Sequence, residues 1–353
     1  MRAATVPSGA TRLAAILLAA GLALGLAHAA TPDASRRDGY HYYEIGDIKA
    51  AAPGKTQAGL MLGGGGDWPY DAYRWMIERA GHGRIVILRA SGATEAQDEF
   101  FKDIGGITAA QTLVFDHRRA ASDPTVLEIV RKADGIFLAG GDQSNYVRFW
   151  KGTPLNQALD EHLRQGKPIG GTSAGLAILG AYAYGAMDGG SLVSADALKD
   201  PAGPQLTLVA DFLHMPFLST VITDSHFGKR ERLGRLIAMV ARLIHETGRD
   251  DITGIGIDEY TALCIDGNGI GKVYSGNGGY AWLVRPRRAA EVYAAGKPLE
   301  FRGVPVIGIG SGSVLRLQDF RVERPAFSAV YDAAGGELHK RGDAPAAAAA
   351  PLH

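Results

Sequence analysis

With one cysteine, Cys264, in 353 residues, the chain cannot close a disulfide within itself. Its stability must come from a packed core. Cys264 sits in the apolar run Tyr260-Thr-Ala-Leu-Cys-Ile265, so a buried structural thiol fits it better than a nucleophile. Excess charge is also missing: 37 Lys plus Arg balance 37 Asp plus Glu, which removes the global basic signature of a nucleic-acid binder. Partners are expected to be small or locally charged. The sequence has no H-E-x-x-H and no paired histidine spacing, so no metal or other cofactor is expected. It also lacks G-x-x-x-x-G-K-[ST], which weakens Gly63–Gly66 as a phosphate cradle. No internal repeat is evident.

Long apolar runs are nearly absent as well. The exception, Leu13–Leu26, has 14 residues, short of the ~20 needed to span a bilayer. Arg2 and Arg12 precede it and Ala27-His28-Ala29 follows, the layout of a secretory signal peptide cut near Ala29 or Ala30. The expectation is therefore a periplasmic or secreted protein with no stable membrane anchor. Loss of Arg2 and Arg12 leaves 35 cations against 37 anions, a net charge of −2.

The expected organisation is a signal peptide over 1–29, an irregular leading segment over 30–54, one α/β domain over 55–335 and a disordered tail over 336–353. From Gly59-Leu-Met-Leu62 onward, short apolar strands alternate with helical patterns. Tyr73, Met76, Ile77 and Ala80 share one helical face. Further strands are expected at Arg84–Leu88, Thr112–Phe115, Gly135–Ala139 and Pro168–Gly171. Asp123-Pro124 and Thr153-Pro154 read as helix starts, and Thr94 with Gln97 as a capping box. This alternation predicts a doubly wound, mostly parallel sheet covered on both faces, with ligands at the carboxyl ends of its strands. After Ile252, Asp-Gly and Asn-Gly punctuation predicts C-terminal β-hairpins on the same sheet.

Gly171-Thr-Ser-Ala-Gly175 fits G-x-S-x-G, in which glycines permit a sharp strand-to-helix turn that exposes the serine hydroxyl. Ser173 is the candidate nucleophile and needs a base. His226, in Asp224-Ser-His-Phe227, follows a strand-like run and precedes Arg230, Arg232 and Arg235. The arginines read either as a solvated basic helix or as forks for substrate carboxylates. On a regular helix 232 and 235 are neighbours, whereas 230 and 232 point nearly oppositely. Ala174 N–H and Gly141 N–H are the candidate oxyanion donors.

Gly140-Gly-Asp-Gln143, Gly171–Gly175, His226-Phe227 with the three arginines, and Gly256-Ile-Asp-Glu259 with Thr261-Ala262 occur in that order. Together they resemble the cyanophycinase and peptidase E family of serine peptidases. The resemblance implies a class I glutamine amidotransferase-like fold, a serine–histidine–acid triad and peptide substrates with aspartyl or β-aspartyl units. It implies Ser173 as nucleophile and His226 as general base, with Gln143, Ser225 and the arginines lining the pocket. It also suggests a homodimer, since family members often are. For the acid, Asp188 ranks first because it follows the serine by 15 positions, about the peptidase E interval. Asp196 and Asp224 are its rivals. Two departures stand out: cyanophycinases generally carry glutamine at the place of Ser225, and the segment Leu179–Pro201 is unlike theirs.

The leading function is an exported serine hydrolase acting on cyanophycin or related peptides. Alternatives are an isoaspartyl dipeptidase without cyanophycin activity, an esterase, and a non-catalytic binder of acidic peptides. The 53-position interval from Ser173 to His226, with a β-rich segment still to follow, speaks against an α/β-hydrolase esterase.

Overall fold

The structure is a computed structural model that describes residues 35–341. The expected signal peptide therefore lies outside the described residues. In one sheet five strands run parallel, in the order Ala109–Phe115, Arg84–Arg89, Gly135–Leu138, Ile169–Thr172 and Gly59–Gly63. Each is short and apolar, and its alternate residues divide between two cores. Leu60, Leu62, Val86 and Leu88 pack on one face against the helices Pro124–Arg131, Gln143–Trp150 and Pro154–Arg164. Met61, Ile85, Ile87 and Phe137 face the helix Tyr70–Arg79, where Tyr73, Met76, Ile77 and Ala80 are buried as their spacing predicts. Burial on both faces is why these strands read as continuous apolar runs. Cys264 belongs to the second of these cores and is buried, which pushes its thiol pKa well up.

The antiparallel flanks are larger than appended hairpins. Thr261–Asp266 pairs with Gly59–Gly63 and carries Ile270–Ser275 beyond it. A second sheet of eight strands holds Val221–Asp224 third from one edge, parallel to Thr253–Ile257 and Tyr182–Tyr184. Ala281–Val284, Phe301–Ile309, Phe327–Ala334 and Glu337–Lys340 extend it antiparallel. The hairpins expected on one sheet are thus shared between two. The 15-residue helix Leu233–Thr247 packs Leu236, Ile237 and Val240 onto this second sheet, against Ile222 and Val284.

Local chemistry explains two helix starts and corrects one. Asp123 Oδ1 accepts from the amides of Thr125 and Val126, and Thr153 Oγ1 accepts from Asn156 N–H, each with proline next in sequence. The capping box at Thr94 does not form. Gln97 is buried and its Oε1 accepts from Thr112 Oγ1 at 3.0 Å, so a core hydrogen bond takes the amide that the box would use. Two segments expected to be irregular are strands: Tyr40–Gly46 pairs over seven residues with Ala109–Phe115, and Glu337–Lys340 pairs with Phe327–Ala334. Tyr40-His-Tyr-Tyr is β-prone but only partly buried, so it gives little alternation to read.

Behind Ser173, the helix Ala174–Ala177 crosses the end of Gly135–Leu138 so closely that a Cβ on Gly175 would lie 2.0 Å from the Leu138 carbonyl oxygen. Gly175→Ala should therefore lower stability by about 1–3 kcal/mol, the usual cost of overpacking, read as a fall in Tm of the purified protein.

Candidate active site

The strand Ile169–Thr172 ends at Ser173, which has φ 54° and ψ −116° before the helix Ala174–Ala177 begins. A positive φ is costly for a residue with a Cβ, of order 1–3 kcal/mol, and is held here by the surrounding backbone. Ser173 N–H donates to Gly63 O at 3.1 Å and Ala177 N–H to Ser173 O at 3.0 Å. The strand Val221–Asp224 delivers His226 just past its end, also at positive φ, 47°. Ser173 Oγ lies 2.8 Å from His226 Nε2.

The acid at the histidine is Glu259. Its Oε1 lies 2.6 Å from His226 Nδ1, and Lys229 Nζ holds its Oε2 at 3.2 Å. Burial raises the Glu259 pKa, but the hydrogen bonds from His226 and Lys229 outweigh it and hold the carboxyl below its ordinary value. An ionised carboxylate only accepts, so Nδ1 carries the proton and Nε2 is free to accept from the serine hydroxyl. Burial pushes the His226 imidazole below the usual histidine value. The Glu259 hydrogen bond opposes that shift, and Arg230 and Arg232 add to it. A neutral imidazole facing a hydroxyl is the protonation state that a general base requires.

None of the three aspartates expected at this place reaches it. Asp188 is exposed in a turn and Asp196 is exposed on the helix Ser194–Lys199. Asp224 is buried and forms a fork with Arg235, Oδ2 to Nε at 2.7 Å and Oδ1 to Nη2 at 2.6 Å, with Arg232 Nη1 at 3.4 Å. Strand alternation does not carry Asp224 to the histidine's side, because His226 lies beyond the strand end. Glu259 arrives instead from the short crossover between Thr253–Ile257 and Thr261–Asp266, which links the two sheets. Its signal in the sequence was the Gly256-Ile-Asp-Glu259 segment.

The run Gly63–Gly66 proves to be part of the site. His226 N–H donates to Gly64 O at 2.7 Å, and Tyr260 N–H to Gly65 O at 2.9 Å. Gly65 has φ 95°, and a Cβ there would lie 2.4 Å from His226 Cε1. The glycines serve the close approach of an imidazole to backbone.

A cavity of about 240 Å³ opens beside Ser173 and His226, lined among others by Gly141, Gln143, Ala174, Ser225 and the three arginines. The expected oxyanion donors Gly141 and Ala174 are both at its wall. Gly141 N–H has no hydrogen-bond partner among the described residues, and Ala174 is the first residue of its helix, whose amide has no intrahelical acceptor. Gln143 Nε2 is tied to Tyr184 O at 3.3 Å. Ser225 is buried, and its carbonyl accepts from Arg232 Nη1 at 2.7 Å. Arg232 and Arg235 are buried, whereas Arg230 is exposed in the turn before the helix Leu233–Thr247, so the three never share a regular helix. Burial pushes the Arg232 pKa down to about 10, still a cation at neutral pH. A second cavity, about 310 Å³, reaches Ser173 and His226 past Gly65, Trp68, Arg89 and Glu99. The serine is thus open on two sides. A larger cavity of about 900 Å³, beyond Trp68 and Tyr260, does not touch it.

Two outcomes follow from this geometry. Glu259→Gln should lower kcat by about 10²–10⁴-fold with the fold intact, because the amide can leave the imidazole in the wrong tautomer, while Asp188→Asn and Asp196→Asn leave kcat within about twofold. Activity requires neutral His226 and is lost as pH falls through its pKa, which is set below the ordinary value. Arg230→Gln removes a cation that disfavours the imidazolium, so the acid limb of kcat/KM should move to higher pH, read from a pH–rate profile.

The profile of Peptidase family S51 matches residues 62–273, more than half of the chain. A cyanophycinase of Synechococcus elongatus is 32% identical over 206 residues, covering 57% of this chain and 58% of its own. One from Trichormus variabilis is 26% identical over 245 residues, 66% of this chain and 76% of its own. The chain thus spans under two thirds of the length of the former. A solved peptidase from an acI-B1 Actinobacterium aligns over 78% of this chain and 97% of its own, with 19% identity and a TM-score of 0.44. With the serine, histidine and arginine segments all inside the matched span, the chain belongs to peptidase family S51.

Proposed function

We propose that the protein is an exported serine peptidase that hydrolyses cyanophycin or related peptides containing aspartyl or β-aspartyl units. The observation that carries this reading is the hydrogen-bonded series Ser173–His226–Glu259 at a positive-φ elbow, opening onto a cavity lined by cations. The named relatives are cyanophycinases, which favours this substrate class. Export rests on the Arg2, Leu13–Leu26 and Ala27-His-Ala29 pattern alone.

In this mechanism Ser173 Oγ attacks the scissile carbonyl while His226 Nε2 takes its proton. Glu259 stabilises the imidazolium that forms. The Ala174 and Gly141 amides receive the developing oxyanion, and losing one such donor costs about 10²–10³ in rate. His226 then gives its proton to the leaving amine, which departs and leaves an ester on Ser173. Water, deprotonated by the same histidine, cleaves the ester and restores the serine. Arg230, which has no ion pair among the described residues, is placed to meet a substrate carboxylate at the cavity mouth.

The test is peptide release from cyanophycin and from a panel of β-Asp-X dipeptides, with mature protein beside Ser173→Ala. Turnover of cyanophycin that is abolished in the variant supports the reading and shows that Ser225 is tolerated. Cleavage of dipeptides alone moves the assignment to an isoaspartyl dipeptidase. Absence of serine-dependent turnover on either substrate overturns the peptidase and leaves esters or simple binding.

A further inference from the structure

Part of the wall of the cavity beside Ser173 is a short strap, Gly189–Leu192, held from two sides. Ser191 Oγ accepts from Arg232 Nη2 and from Arg235 Nη1, each at 3.2 Å. Arg235 Nη1 also donates to Leu192 O at 3.0 Å. From the other side the Tyr184 hydroxyl accepts from Leu192 N–H at 3.0 Å and donates to Gly190 O at 3.3 Å. The Tyr184 ring in turn lies under the Arg235 guanidinium, 5.0 Å away. The strap itself is exposed at Ser191, so one side chain separates two buried guanidinium groups from solvent.

The consequence for recognition is specific. The remaining donors of Arg235 go to Asp224, and Arg232 Nη1 goes to Ser225 O and Asp224. The position that a carboxylate would take between the two inner guanidinium groups is held by a neutral hydroxyl. A planar fork already engaged by a carboxylate and by backbone offers a ligand little. Arg230 alone among the three arginines has a side chain with no hydrogen bond or ion pair among the described residues; its amide donates to His226 O at 3.1 Å.

We infer that Ser191 is a specificity-determining residue that sets the depth of the cavity on the acyl side, so that it takes an aspartyl-sized unit read by Arg230 and rejects a unit one methylene longer. This rests on the peptidase reading above, and its test is arranged to separate the two. One methylene in a closed pocket is worth about 10–200-fold in discrimination. The intact protein should cleave β-Asp-Leu at least about tenfold faster in kcat/KM than γ-Glu-Leu. Ser191→Gly should shrink that ratio to about threefold or less, and Ser191→Thr should widen it.

A second arm needs no turnover. Binding of free L-aspartate and L-glutamate to Ser173→Ala is measured by ligand-observed NMR titration, alone and combined with each Ser191 variant. The same preference and the same shift are expected there. Failure of every dipeptide to be cleaved counts against the peptidase alone, because the binding ratio still reports cavity depth. A ratio unchanged by both variants overturns the role of Ser191, as does failure of L-aspartate to bind. Ser191→Thr keeps the hydroxyl and the strap contacts, so an unstable glycine variant leaves the prediction exposed.

Discussion

The hydrogen bond from the His226 amide to the Gly64 carbonyl, 2.7 Å long, is the constraint on which the site depends. It joins a loop of the first sheet to the end of a strand in the second, and the candidate catalytic groups gather at that seam. Ser173 comes from the first sheet and His226 from the second, while Glu259 sits on the crossover between them. Neighbouring bonds tie each side to the crossover between the sheets: Phe227 N–H to Ile257 O at 3.1 Å within the second sheet, and Gly64 N–H to Thr261 O at 2.9 Å within the first. Two hydrogen bonds between side chains of rotamer-rich residues would be weak if their backbones moved independently. Fixing three backbones to one another lets a 2.8 Å and a 2.6 Å contact persist together.

Electrostatics at this seam work in two directions. Three arginines against the buried Asp224 and the exposed Asp142 leave the cavity cationic, which favours an anionic substrate and a developing oxyanion. The same cations disfavour a charged imidazole and, together with burial, hold His226 neutral. In the proposed mechanism, a carboxylate seated beside Arg230 offsets that field at the stage when His226 must accept a proton. The ion pairs around Asp224 hold this arrangement in place. Two buried guanidinium groups without it would be uncompensated charges, a cost of about 3–5 kcal/mol when one partner of such a pair is removed.

Much of this was legible in the sequence, for local reasons. Ser173 is announced by the glycines that its elbow needs, and the parallel strands by runs buried on both faces. His226 could be placed near a strand end because a β-prone run precedes it. Glu259 could not be placed by interval, since it reaches His226 only through the pairing of two sheets, a nonlocal fact. The preference for Asp188 relied on a spacing, and the chain between Tyr184 and Val193 forms the strap and leaves Asp188 exposed in a turn. Asp224 was drawn toward the triad by adjacency, yet Arg235, 11 residues on, claims it as a fork. Gly63–Gly66 carried a glycine signal whose purpose, room for an imidazole, exists only once His226 is folded against it.

Cys264 has a practical corollary. It is the sole thiol of the chain and sits against Met61 in the register of the first sheet, in a strand that continues directly from the crossover bearing Glu259. Burial holds it in the thiol form and out of reach of solvent. A thiol-reactive dye can therefore label the chain only when this strand opens, and in excess reagent the labelling rate counts those openings. The molecule carries a built-in clock for the loosening of its own seam, and no cysteine needs to be introduced to read it.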